Sequence, residues 1–185
     1  MKVERTSIAD VLLLEPQVFG DARGFFYESY NRRTFARDTG LEIEFVQDNH
    51  SRSSKNVLRG LHYQLRQAQG KLVRVTSGAI WDVVVDLRRG SPSFGRWTGA
   101  ALDAVSRRLL WVPAGFAHGF IVTSEEAEVL YKSTDYYAPE HERTLLWNDP
   151  ALAIAWPLGA TPGSEPVMTD KDRRGKPLAS AETFA

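Results

Sequence analysis

Between Leu58 and Lys71 the chain gathers an arginine, a histidine and a lysine. The residues run Leu58-Arg59-Gly60-Leu61-His62-Tyr63-Gln64, and Gln69-Gly70-Lys71 follow closely. An unperturbed imidazole titrates at about pH 6.5, so a histidine can take a proton near neutrality. An ammonium stabilises an oxyanion, and a guanidinium grips a phosphate with its planar fork. This stretch offers a base, an electrophile and an anion clamp inside a segment that otherwise reads as strand. The bland alternative is a half-buried strand histidine edged by solvated charges, and for a lone histidine it would be preferred. Here it has several further residues to explain.

The elements that must position these groups are mostly strands. Ile80 to Leu87 alternates, with Trp81, Val83, Val85 and Leu87 on one face and Asp82 and Asp86 on the other. Lys71–Ser77, Leu109–Val112, Phe120–Thr123 after Gly119, and Val129–Thr134 read the same way, and Phe25–Tyr30 is aromatic and strand-prone. Gly20-Asp21, Gly90-Ser91-Pro92 and Pro113-Ala114-Gly115 are turn signals between them. Asn31 to Thr39 is the best short helix, with Asn31 as cap and Gly40 as terminator. From Trp156 onward the chain reads as loop plus one helical turn, with Thr169 capping Asp170-Lys171-Asp172. Capping alone would explain that aspartate pair. Many short strands closely punctuated by turns predict an all-β protein, and a double-sheet jelly roll with a few short helices suits the length.

The 185 residues fit one domain, 1–185, with no repeat or linker. Lys plus Arg and Asp plus Glu both number 23, so no global basic field favours nucleic acid, and any anion needs a local cluster. The absence of cysteine excludes disulfides, zinc-thiolate sites and thiol nucleophiles. It is compatible with a reducing compartment, and the expectation is a cytoplasmic protein. Met1-Lys2-Val3-Glu4-Arg5 leads into no apolar signal-peptide core, and no run approaches the roughly 20 apolar residues that span a bilayer, so no membrane association is expected.

Six motifs carry a resemblance. They are Asp21 to Glu28, Phe45 to His50, Asn56 to Gln64, Gln69 to Arg74, Pro113 to Phe120 and Tyr131 to Pro139. In this order the chain resembles the dTDP-4-dehydrorhamnose 3,5-epimerases, whose fold is a cupin-like jelly roll, from about Val11 to Asp172. The resemblance implies that His62 is the proton-abstracting base, Asp172 the carboxylate that orients it, Tyr131 the proton donor, and Lys71 the cation facing the sugar keto oxygen. His118 is similar to a sugar-contacting residue. Arg23, Glu28, Gln47, Asn49 and Arg59 resemble residues that hold the nucleotide sugar, Tyr137 the aromatic that stacks on thymine, and Glu142 and Lys171 further binding positions. Asp170 is the alternative to Asp172, because the spacing from Trp156-Pro157 to Lys171-Asp172 departs from the family's. The turn Leu65-Arg66-Gln67-Ala68 is also shorter than usual. The implied enzyme is a homodimer that uses no metal and no cofactor.

The residues are chemically suited to that reaction. The implied substrate, dTDP-4-dehydro-6-deoxy-D-glucose, has a ketone that acidifies the hydrogens on carbons 3 and 5. Inverting either centre needs a base on one face, an acid on the other and a stabiliser for the enolate. A phenol of reference pKa about 10 stays protonated at neutral pH, so Tyr131 can donate. The same base and acid would also serve a single-carbon epimerase of an antibiotic deoxysugar pathway, and a non-catalytic sugar-binding module is the third reading. A metal-binding cupin typically presents His-x-His, but Gln64 and Gly60 flank His62 at those positions, so no metal site is expected. His50 reads as peripheral, the five tryptophans and Phe25-Phe26 as packing, and Tyr136 as a core or interface aromatic. Arg23 beside Asp21 reads without the motif as a surface ion pair. Arg59, in an apolar-flanked strand, reads as a buried cation in need of a diphosphate.

Overall fold

A strand with an apolar face must bury it, and the chain does so by stacking one sheet on another. The computed structural model describes residues 1–158 and 165–185; residues 159–164 of the loop expected after Trp156 lie outside the described residues. In chain order the elements are β1 (Lys2–Arg5), β2 (Leu12–Glu15), β3 (Val18–Asp21), β4 (Gly24–Tyr27), α1 (Arg32–Thr39), β5 (Gln47–Ser54), β6 (Leu58–Gln64), β7 (Lys71–Ser77), β8 (Ala79–Asp86), β9 (Trp97–Asp103), β10 (Leu109–Val112), β11 (Phe116–Val122), β12 (Glu126–Ser133), β13 (Glu142–Thr144) and α2 (Asp170–Arg173). One sheet has the order β1-β2-β10-β7-β12-β5, the other β13-β6-β11-β8-β9, and β3-β4 form a separate hairpin. The strand pairs are antiparallel. The architecture is the expected double-sheet jelly roll.

Alternation assigns each side chain to a layer. Val73, Val75, Ile80, Val84, Leu110, Phe116, Phe120 and Val129 fill the space between the sheets. On the outer side of the five-stranded sheet, Leu61, Tyr63, Val83, Val85 and Ala117 pack under the C-terminal stretch through Leu145, Leu152 and Ala181. On the outer side of the six-stranded sheet, Leu12, Leu14, Leu72, Leu109 and Trp111 pack under α1 through Phe35. That helix follows the expectation closely. The Asn31 side chain accepts from the Arg33 and Thr34 amides, and Gly40 closes the helix at φ 75° with its amide on the Ala36 carbonyl.

Several expectations change. β11 runs unbroken from Phe116 to Val122, so Gly119 is mid-strand rather than a strand opener. A Cβ on Gly119 would stand 2.6 Å from the Arg59 carbonyl oxygen, and one on Gly60 would stand 2.6 Å from the Gly119 Cα. The two glycines let β6 and β11 approach where His62 and His118 are register partners. Asp82 and Asp86, on the face opposite Trp81 and Val83, are both fully buried, because β8 is covered on both sides. Phe25 and Phe26 are 60% and 72% exposed, and Tyr136 is 60% exposed, so none is core packing within this chain. The strand expected over Phe25–Tyr30 ends at Tyr27. Among the described residues no helix is long and apolar enough to cross a membrane.

Candidate active site

The space between the sheets is apolar at one end and polar at the other. On β7, Lys71 shares the inner face with Val73 and Val75; on β12, Tyr131 shares it with Ala127 and Val129. Across the gap, β6 turns His62 inward while Leu61 and Tyr63 face out, and β11 turns His118 inward beside Phe116 and Phe120. The resulting cleft has a lobe of about 620 Å³ containing Arg59, His62, Lys71, His118, Tyr131, Lys171 and Asp172. An adjoining lobe of about 270 Å³ contains Gln47, Asn49 and Gln64, and both lobes share His62, Lys71, Tyr131, Tyr137 and Glu142.

His62 Nε2 lies 2.5 Å from Asp172 Oδ1. Asp172 is buried in α2, while Asp170 is exposed at its start, so of the two carboxylates it is Asp172 that meets the histidine. Thr169 caps the turn and accepts from the Asp172 amide, so capping and the contact with His62 coexist. Burial alone would raise the Asp172 carboxyl, but the His62 hydrogen bond, with help from Thr169 and Lys171, holds it below the usual carboxylate range. Burial drives the Lys71 ammonium down to about 8, against the opposing charges of Asp82 and Glu142. Burial raises the Tyr131 phenol above its ordinary value, opposed by Arg59 and reinforced by Glu142. Glu142 accepts from the Tyr137 hydroxyl at 2.9 Å and from Lys171 Nζ at 2.6 Å. Burial would raise its carboxyl, but these two bonds and nearby His62 hold it low.

Other candidates sit differently from expectation. Arg59 is exposed rather than buried; its Nε donates to Ser53 Oγ at 2.8 Å and its guanidinium lines the cleft rim. Arg23 and Glu28 do not line this cleft. Arg23 is on the β3–β4 hairpin, paired with Asp21 at 2.5 Å, and Glu28 accepts from Asn31 and Thr34 at the head of α1. Gln47 accepts from the Tyr137 amide and donates to Asn49. His50 is exposed and meets Glu128 at 3.0 Å on the outer face. Asp82 was missed by the sequence reading. Its oxygens lie 2.9 and 3.0 Å from His118 Nε2, giving a second histidine–aspartate pair beside the first. A carboxylate within the otherwise apolar run from Ile80 to Val85 was the available signal, because a buried charge needs a partner. Among the described residues no group of three His, Asp or Glu side chains comes together to hold a metal ion.

The sequence model of the dTDP-4-dehydrorhamnose 3,5-epimerases matches residues 5–180. The chain belongs to this family. A Pseudomonas aeruginosa dTDP-4-dehydrorhamnose 3,5-epimerase is 61% identical over 184 residues, covering 100% of this chain and 99% of the relative. The crystal structure of the Legionella pneumophila Philadelphia 1 epimerase RmlC, in complex with dTDP-4-keto-L-rhamnose, superposes with a TM-score of 0.93 at 48% identity. That match covers 98% of this chain and 94% of the other. The 3'-monoepimerase ChmJ of Streptomyces bikiniensis, solved with dTDP-quinovose, is more distant at 33% identity and a TM-score of 0.87, covering 97% of this chain and 88% of that one. Double and single epimerases therefore share this jelly roll.

Proposed function

We propose that this protein inverts carbons 3 and 5 of dTDP-4-dehydro-6-deoxy-D-glucose, giving dTDP-4-dehydro-L-rhamnose. The carrying observation is that His62 and Tyr131 enter one cleft from opposite sheets, with Lys71 lining it in the field of Asp82 and Glu142. A flat sugar enolate between the sheets would meet a base on one face and an acid on the other. With Nε2 of His62 committed to Asp172, Nδ1 is left to take the proton from the carbon beside the ketone. The electron pair moves onto the keto oxygen, where the Lys71 ammonium offsets the charge. The Tyr131 phenol then returns a proton to the opposite face. Both groups exchange with solvent, and the cycle repeats at the second carbon. The carbon 3 and 5 reading is preferred to single-carbon inversion because the 61% relative carries the double-epimerase name and the monoepimerase stands at 33%.

Around this centre, Asn49 and His118 would contact the sugar, Arg59 the diphosphate and Tyr137 the base, with Glu142 and Lys171 holding Tyr137 in place. We read residues 1–185 as one domain working in the cytoplasm, where nucleotide sugars are made. We also read it as a homodimer. The support is the β3–β4 hairpin, whose Phe19, Phe25 and Phe26 are 57%, 60% and 72% exposed in the single chain. Arg23 and Glu28 lie on and after that hairpin, so a second copy seated on it would bring them to a neighbouring cleft. Nuclear magnetic resonance of the product tests the reaction: inversion at both carbons is expected, and inversion at one carbon or none contradicts it.

A further inference from the structure

Past Ser133 the chain leaves β12, and its backbone groups lose their sheet partners. Three glutamine side chains replace them over four consecutive residues. Gln69 Nε2 donates to the Asp135 carbonyl at 2.8 Å, and Gln64 Nε2 to the Tyr136 carbonyl at 3.2 Å. Gln47 Oε1 accepts from the Tyr137 amide at 3.0 Å, and Gln64 Oε1 from the Ala138 amide at 3.0 Å. Gln64 also donates to the Gln67 carbonyl at 2.7 Å, and its side chain is buried. The glutamines come from β5, from the end of β6 and from the turn before β7, so three separate parts of the fold converge on one segment.

We infer that Gln64 and Gln69, with Gln47, are positioning residues that hold Tyr137 as a platform for the nucleotide base. This rests on the reading of Tyr137 given above. Tyr137 is held at both ends, its backbone amide by Gln47 and its ring hydroxyl by Glu142, yet the residue is 53% exposed. A ring that is exposed and still oriented is what stacking on a base requires, because ordering it beforehand lowers the entropic cost of binding. Amide side chains carry no charge, so the glutamine part of this hold does not titrate. Gln64 also lies two residues after His62 on the same inward face, so one strand sets both the base and the platform.

The test is a double-mutant cycle read by calorimetric titration with dTDP, using Gln64→Met, Tyr137→Ala and the pair. Gln64→Met is expected to weaken dTDP binding by about fivefold or more in the unaltered chain and by less than about twofold in the Tyr137→Ala chain. Equal weakening in both backgrounds, or none in either, overturns the inference. If Tyr137→Ala alone binds dTDP as tightly as the unaltered chain, the platform reading itself fails and takes the inference with it. That result comes from a different pair of titrations, so the two failures are distinguishable. Should circular dichroism show Gln64→Met unfolded, Gln69→Met removes one bond from a half-buried site and goes through the same cycle. Weakening that vanishes without the Tyr137 ring supports the clamp, and weakening that persists overturns it.

Discussion

The Lys71 ammonium gives the account a quantitative handle. Burial lowers its pKa to about 8, so the charge that would offset the enolate disappears just above neutrality. The protonated ammonium is the active form, so the Lys71 contribution is full below that pKa and is lost as pH rises through it. With one proton lost, kcat/KM should stand at about half its plateau at pH 8, about a tenth at pH 9 and about a hundredth at pH 10. Tyr131 does not supply a limb near pH 8, because burial raises its phenol above its ordinary value of 10. Two substitutions identify the group. Glu142→Gln removes a carboxylate that raises Lys71, and moves the limb to lower pH. Lys71→Arg, whose guanidinium stays charged, lowers the rate and abolishes the limb. The assay is the initial rate of epimerisation at limiting substrate from pH 6 to 10. A flat profile to pH 10, or an unchanged limb in Lys71→Arg, would refute the reasoning.

Other expected outcomes are as direct. Asp172→Asn keeps the shape of the His62 contact but loses a charged acceptor, a change of about 1.5–3 kcal/mol, so kcat should fall roughly 10- to 150-fold; an unchanged kcat would remove Asp172 from the mechanism. Gly119→Ala drives a Cβ against the Arg59 carbonyl and should cost about 1–3 kcal/mol, read as a melting temperature several degrees lower with activity reduced as β6 and β11 part. The Asp86 carboxyl is held at about 2, its burial outweighed by Arg88, Ser91 and Ser93. Because that pKa is depressed, its stabilisation is present above the ordinary 3.8 and lost as pH falls through 2. Asp86→Asn should therefore destabilise the fold by roughly 2 kcal/mol at neutral pH, with the difference from the parent shrinking toward pH 2 in denaturant melts. Phe26→Asp should leave the fold intact and weaken self-association by about tenfold or more in light scattering, with activity falling in step; an undiminished dimer would place the interface elsewhere.

The strands that end on clear turn residues, Gly78 and Pro113, were legible. Lys71–Ser77 and Leu109–Val112 have the expected limits, and Asn31 and Gly40 bound the helix as their chemistry demands. Where reading failed, the cause was a partner distant in sequence. Gly119 looks like punctuation until Gly60 is set against it from another strand. Asp82 looks solvated if β8 has one wet face, but the C-terminal stretch covers the outer side and His118 meets the carboxylate on the inner. Arg59 looks buried between apolar neighbours, yet it stands at the cleft rim, where the chain opens toward solvent. Gln64 could be seen to occupy the position of a cupin metal ligand, but not what its amide does, because its partners on Tyr136 and Ala138 lie more than seventy residues along the chain. Phe25 and Phe26 read as packing because aromatic runs usually are, and their exposure points to a contact beyond the single chain.

The central claim is that His62 removes and Tyr131 returns the protons at carbons 3 and 5. Incubation of the protein with dTDP-4-dehydro-6-deoxy-D-glucose in deuterium oxide, followed by nuclear magnetic resonance and mass spectrometry of the sugar, tests it directly. Deuterium is expected at both carbons with inverted configuration, none at either with His62→Ala, and with Tyr131→Phe a reprotonation defect larger than the defect in proton removal. Label at one carbon alone, or undiminished labelling with His62→Ala, would contradict it.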